Sequence, residues 1–199
     1  MIVPSTKKGL SMERRIVRSG QGSAELSRSE VIYVGVDNGV SGSVAAVNAT
    51  GSWSAVATTP TFSEQDYVKT KQNVTRVDTG DLHHWFQDVL VATYGGTGMI
   101  RVFLERPMIF PGRFRATLSA IRAWEATLIV LAEFPWPRVV VDSRAWQKAM
   151  LPAGCKGPEL KVASVQVGCR LFPDHSDWIK GQGDADSLLI AEFARRSTL

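Results

Sequence analysis

Short, β-branched apolar runs open the chain's patterned region, and stretches with apolar residues at three- and four-residue spacing follow them. Val31-Ile32-Tyr33-Val34-Gly35-Val36 leads a first predicted strand over 31–37. Two more, over 42–48 and 52–58, are set off by Gly39, Ser41 and Gly42 and by the turn Asn48-Ala49-Thr50-Gly51. Connections that short join antiparallel neighbours. A polar stretch, 60–77, comes next and carries Lys69, Lys71 and Arg76. Leu82, Trp85, Phe86, Val89 and Leu90 predict a helix over 79–93, and an apolar strand follows over 100–105. Phe114, Leu118, Ile121, Trp124, Leu128 and Leu131 predict a long helix over about 113–134. Val139-Val140-Val141 reads as a buried strand, with a short helix around Trp146 behind it. Helices over 158–171, with Pro158 in its first turn, and over about 185–196 complete the pattern. Three antiparallel strands, then helix–strand–helix–strand–helix, predict an α/β fold: one mixed sheet with helices on both faces.

Carboxylates stand at the ends of these apolar runs. The first strand stops at Asp37 in VGVDNGVSG, the strand over 100–105 stops at Glu105 in VFLERP, and Gly183-Asp184-Ala185-Asp186 opens the last helix. A carboxylate at the end of a core strand is costly unless its charge is compensated. Three such positions far apart in sequence point to one site that holds hard divalent cations through oxygen ligands. Asp184 and Asp186 cannot point the same way on a regular helix, because a two-residue step turns about 200°. Asp184 therefore belongs at or before the N-cap, where cap and ligand roles are equally compatible, and Asp186 in the first turn is the stronger ligand. Glu105 has a plainer alternative in an ion pair with Arg106, but neighbouring strand residues point to opposite faces. Asp142 reads as an N-cap. Taken alone, the Asp37 segment fits the phosphate-binding hairpin of sugar kinases and actin as well as it fits a nuclease.

Composition narrows the classes. A chain of 199 residues, 44% hydrophobic and 21% charged, has the makeup of a globular protein with a sizeable core. Its formal charge of +4 is modest evidence for a polyanionic partner. The placement of charge says more: no acid lies between Glu105 and Glu125, where Arg106, Arg113, Arg115 and Arg122 fall beside Phe110 and Phe114. Cys155 and Cys169 are too few and too widely spaced for a zinc site or a disulfide framework, so a reducing intracellular compartment is expected. No apolar run reaches membrane-spanning length. Residues 1–30, rich in Ser, Gly, Lys and Arg, read as a disordered arm, a vector-derived or targeting extension, and 31–199 as the folded domain. The expected location is cytoplasm or nucleoid, or an organelle if the arm is a targeting segment.

Asp37 in VGVDNGVSGSVA, Glu105 in VFLERP, Ser143-x-x-Trp146-x-Lys148, Arg170-Leu171-Phe172-Pro173 and Ala185-Asp186-Ser187-Leu188-Leu189-Ile190-Ala191-Glu192 occur in that order. The ordered set, over about 31–196, resembles RuvC-type Holliday junction resolvases. The resemblance implies an RNase H-like fold, a homodimer, and cleavage of four-way DNA junctions with two Mg²⁺ ions, for which Mn²⁺ can substitute. Asp37, Glu105 and Asp186 match the family's catalytic acids. The family's fourth acidic position falls on Gly183, and Asp184 stands next to it as the substitute. Lys69, Lys71, Arg76, Arg113, Arg115 and Lys148 are the expected phosphate contacts, with Phe114 or Phe110 stacking at an opened junction centre. Core packing is the equal alternative for Phe114. Two rival readings are an actin-like sugar kinase fragment and a catalytically silent RNase H-like DNA-binding module.

Overall fold

The computed structural model describes residues 17–19, 31–66, 72–92 and 98–197. Lys69 and Lys71 lie outside the described residues. The elements, in chain order, are β1 (Val17–Ser19), β2 (Val31–Asp37), β3 (Ser43–Asn48), β4 (Ser54–Thr58), β5 (Thr61–Gln65), β6 (Asn73–Val77), α1 (Thr79–Ala92), β7 (Met99–Glu105), α2 (Phe114–Ala132), β8 (Arg138–Val141), α3 (Ser143–Met150), α4 (Pro158–Leu171), a 3-10 turn (Pro173–His175), α5 (Ser176–Gln182) and α6 (Asp186–Ser197).

β2, β3 and β4 form an antiparallel meander, and β7 and β8 run parallel to β2 on its other side. The order across the sheet is β1-β4-β3-β2-β7-β8. Strand alternation sends side chains to two layers. Ile32, Val34, Val36, Val44, Ala46, Val102 and Leu104 face a layer that α1 and α2 cover with Leu82, Phe86, Val89, Val130 and Leu131. Tyr33, Ala45, Val47, Val56 and Phe103 face the opposite layer, covered by Trp146 of α3, Val167 of α4, Ile179 of α5 and Leu188 and Leu189 of α6. α6 is buried along nearly its whole length, and each of its large apolar side chains contributes about 1.5–3 kcal/mol of burial. Its one buried acid, Glu192, is offset by Arg195 and Arg196, each donating at 2.7 Å. This is the mixed-sheet α/β arrangement, with helices on both faces, that the hydrophobic pattern predicts.

Four features depart from the pattern. The polar stretch 60–77 contains a separate hairpin, β5 with β6, in which Val77 is the one fully covered position. Val139 and Val140 are 43% and 44% exposed, because β8 is an edge strand and only Val141 reaches the core. The segment after α4 folds into the 3-10 turn and α5, both too short to carry a periodic signal. Within 1–30, read as an arm outside the fold, Val17–Ser19 pairs antiparallel with Ser54–Val56, adding a strand to the open edge of β4. No helix among the described residues is long and apolar enough to cross a membrane.

Candidate metal centre

β2 and β7 bring the first two acids together. Val36 pairs with Leu104 across the parallel ladder, so the residues that follow, Asp37 and Glu105, end adjacent strands on the face toward α6. After Asp37 the chain turns back through Gly42, whose N–H donates to the Gly39 carbonyl at 3.2 Å. A Cβ on Gly42 would lie 2.1 Å from the Asp37 carbonyl oxygen and 3.2 Å from Asp37 Oδ2. Only glycine lets this loop close so tightly on the carboxylate.

The other acids enter from the chain that leads into α6. Gly183 ends α5 in the left-handed conformation, φ +85°, and its N–H donates to the Ile179 carbonyl at 2.9 Å. That is a glycine helix stop. A side chain at 183 would be strained in that conformation. Asp184, the next residue, is buried; its Oδ1 accepts weakly from the Asp186 N–H at 3.5 Å and its Oδ2 accepts from Lys161 Nζ at 3.1 Å. Asp186 is the first residue of α6. One carboxylate oxygen from each of Asp37, Asp184 and Asp186 lies within 4.8 Å of the others. At an effective dielectric constant of about 20, two charges at that separation repel by about 3–4 kcal/mol.

Glu105 stands beside this trio rather than inside it. Its Oε2 accepts from the indole N–H of fully buried Trp146 at 3.3 Å, so its partner is an indole from α3 and not Arg106. Burial pushes the Glu105 carboxyl up to about 7; the Asp186 charge adds to this and the Trp146 hydrogen bond opposes it. Burial, opposed by a hydrogen bond from Ser164 and reinforced by Asp184, raises Asp186 to about 6. Asp37 is raised well above its ordinary range, first by burial and then by the charges of Asp186, Glu105 and Asp184. Carboxylates so placed keep their protons to higher pH than usual and are well matched to a hard divalent cation, which supplies the missing positive charge. The donor set fits a hard divalent cation: oxygen only, from Asp37, Asp184 and Asp186, with Glu105 beside them.

The structure adds two residues that the sequence did not single out. Lys161 and Ser164 lie one turn apart on α4 and reach Asp184 and Asp186 respectively. Pro158 marks the start of α4, but nothing local says that its 161/164 face meets the α6 acids. Asp142 is the N-cap of α3, its Oδ1 accepting from the Arg144 N–H at 2.9 Å.

The expected DNA contacts are dispersed. Phe114 opens α2 and is 73% exposed, which excludes the core-packing alternative. Arg113 precedes it, its guanidinium 5.9 Å from the centre of the Phe110 ring. Arg115 donates to Gln72 at the start of the β6 segment, and Arg76 is ion-paired with Glu64 across the β5–β6 hairpin. Lys148 is exposed in the last turn of α3.

Sheet order and the helices on its two faces define the class: a mixed-sheet α/β domain with carboxylates at its strand ends. Solved structures similar to the chain include two of RuvC. One is "T. thermophilus RuvC in complex with Holliday junction substrate", at 14% identity over 85% of this chain and 95% of that one, with a TM-score of 0.49. The other is "Thermus thermophilus RuvC structure", at 14% identity over 85% and 96%, with a TM-score of 0.45. No protein-family model and no curated protein matches the chain.

Proposed function

We propose that this chain is a metal-dependent endonuclease that resolves four-way DNA junctions by paired nicks, with 31–199 as its nuclease domain. The observation that supports it best is the convergence of Asp37, Asp184 and Asp186 within 4.8 Å, with Glu105 beside them on the neighbouring strand. The four-way junction as substrate follows from the ordered motifs that resemble RuvC-type resolvases.

Asp37, whose carboxyl feels the charges of Asp186, Glu105 and Asp184, would be the central acid holding a pair of Mg²⁺ ions. Glu105 would add a ligand from the end of β7, and Asp186 with Asp184 from the entrance of α6. When bound, such a pair of ions activates a water and stabilises the leaving oxygen of a phosphodiester. The water oxygen forms a bond to phosphorus, the bond from phosphorus to the 3′ oxygen breaks, and that oxygen leaves as a hydroxyl. The chain contributes no nucleophilic side chain; its acids orient and hold. Lys161 offsets part of their negative charge near the incoming phosphate.

Arg113 and Arg115, immediately past the loop that follows Glu105, are the leading phosphate contacts, with Lys69, Lys71, Arg76 and Lys148 behind them. Exposed Phe114 is placed to stack on an unpaired base. A two-fold homodimer supplies the second active site that symmetric nicking requires. Cleavage of a synthetic four-way junction, compared with linear duplex of the same sequence, tests the reading. Mg²⁺-dependent paired nicks, abolished by Asp37→Asn with junction binding retained, are the expected result. Metal-independent cutting, or equal cutting of linear duplex, overturns it.

A further inference from the structure

Ser164 lies near the middle of α4 and is 1% exposed. Its hydroxyl makes two contacts with the entrance of α6. It accepts from the Ala185 backbone N–H at 2.9 Å, and it donates to Asp186 Oδ1 at 2.5 Å. A hydroxyl has one proton to give. A carboxylate can take that proton in a hydrogen bond and a backbone N–H cannot, so the O–H must point at Asp186. The separation is in the short range of charge-assisted O–H···O⁻ bonds. These contacts fix both the backbone at 185 and the side chain at 186 from a helix more than twenty residues upstream.

We propose that Ser164 is a positioning residue for the metal centre: by holding Asp186 Oδ1 it fixes the orientation in which that carboxylate is offered to a divalent cation. The inference rests on the metal-nuclease reading and deepens it. A buried serine that served only as a helix cap would need the Ala185 contact alone. The second bond engages the very carboxylate that converges with Asp37 and Asp184. Partners of this kind orient metal ligands, and losing one costs about 10–100-fold in metal affinity or activity.

The test is Mn²⁺ binding to the full chain without DNA, read from the paramagnetic resonance of free Mn²⁺ and checked against melting of the metal-free protein. Ser164→Ala is expected to weaken Mn²⁺ binding by about 10–100-fold. It should also raise the Mg²⁺ concentration for half-maximal cleavage, while the rate at saturating metal is largely kept. Ser164→Cys fills the same space with a weak donor, so it covers the case in which the alanine variant fails to fold, and it should weaken binding in the same direction. A folded Ser164→Ala or Ser164→Cys protein with wild-type Mn²⁺ affinity overturns the proposal and leaves Ser164 a helix cap. A wild-type chain that binds no Mn²⁺ overturns the metal reading and this inference together. A wild-type chain that binds Mn²⁺ but leaves junctions intact overturns the nuclease reading alone.

Discussion

Gly35 in β2 lies directly against the backbone of Ser187 in α6: a Cβ at Gly35 would sit 2.2 Å from the Ser187 carbonyl oxygen and 2.5 Å from the Ala191 nitrogen. Both are backbone atoms of a buried helix, so neither can swing aside. Ser43 Oγ donates to Ser187 Oγ at 2.7 Å from the adjacent strand, pinning the same turn. Because Asp186 is the residue before Ser187, this close approach sets how deeply Asp186 sits over Asp37. Gly35→Ala should therefore destabilise by at least the about 1–3 kcal/mol typical of overpacking and weaken metal binding as well. Denaturant unfolding and Mn²⁺ titration measure the two effects. A stable variant with wild-type binding would show that α6 can shift without moving the site.

The raised carboxyls predict a sign for pH dependence. Asp186 and Glu105 hold protons in the folded chain up to about 6 and about 7, while their ordinary values are 3.8 and 4.5. Between those limits the folded state binds more protons than the unfolded one, so stability falls as pH rises. Burial lowers the pKa of His175, which acts the other way up to its usual 6.5. The clean comparison is thus wild type against Asp186→Asn without metal. The variant should gain on wild type as pH goes from 5 to 8, by melting temperature. Added Mn²⁺ should stabilise wild type more at pH 8 than at pH 5.5, because metal displaces those protons.

Asp186→Asn should damage cleavage more than Asp184→Asn. Asp184 accepts from the Asp186 N–H and from Lys161, roles that the asparagine oxygen retains in part, whereas Asp186 as ligand needs its charge. Rates on a four-way junction at saturating Mg²⁺ decide. Equal and complete loss in both would make Asp184 a full ligand, and no loss in either would remove α6 from the site.

Arg113→Ala combined with Arg115→Ala should weaken junction binding and flatten its salt dependence. Each lost phosphate contact lowers the log–log slope by about 0.9 on duplex arms. Arg115 also donates to Gln72, so its loss releases a tie between α2 and the hairpin segment. Binding isotherms at several salt concentrations give the slope. An unchanged slope would place the DNA on another face.

A homodimer is expected to assemble through α2, which exposes Ile121 and Ile129 and keeps Trp124 only partly buried. Light scattering should give twice the chain mass, with and without junction. Replacing Ile129 by Glu should return the monomer and abolish paired nicking. A stable wild-type monomer binding junctions one-to-one would favour a single-strand nickase.

The sequence by itself determined the elements and where the acids stand along them. Val31 to Val36 ending at Asp37, and Val102 to Leu104 ending at Glu105, are local patterns, because alternation and β-branching are properties of adjacent residues. α1, α2, α4 and α6 were legible for the same reason. Which apolar positions would be covered was not. Phe114 shares its spacing with Leu118 but opens a turn with no layer over it, and Val139 and Val140 lie on an edge strand. The β5–β6 hairpin pairs polar strands that bury almost nothing, so no hydrophobic signal marked it. Only the tertiary structure decided that Lys161 and Ser164 meet Asp184 and Asp186, and that Trp146 meets Glu105. Those contacts depend on how α3 and α4 pack beside α6 over one face of the sheet. That packing is set by the shapes of many buried side chains together, and no short stretch of sequence carries it.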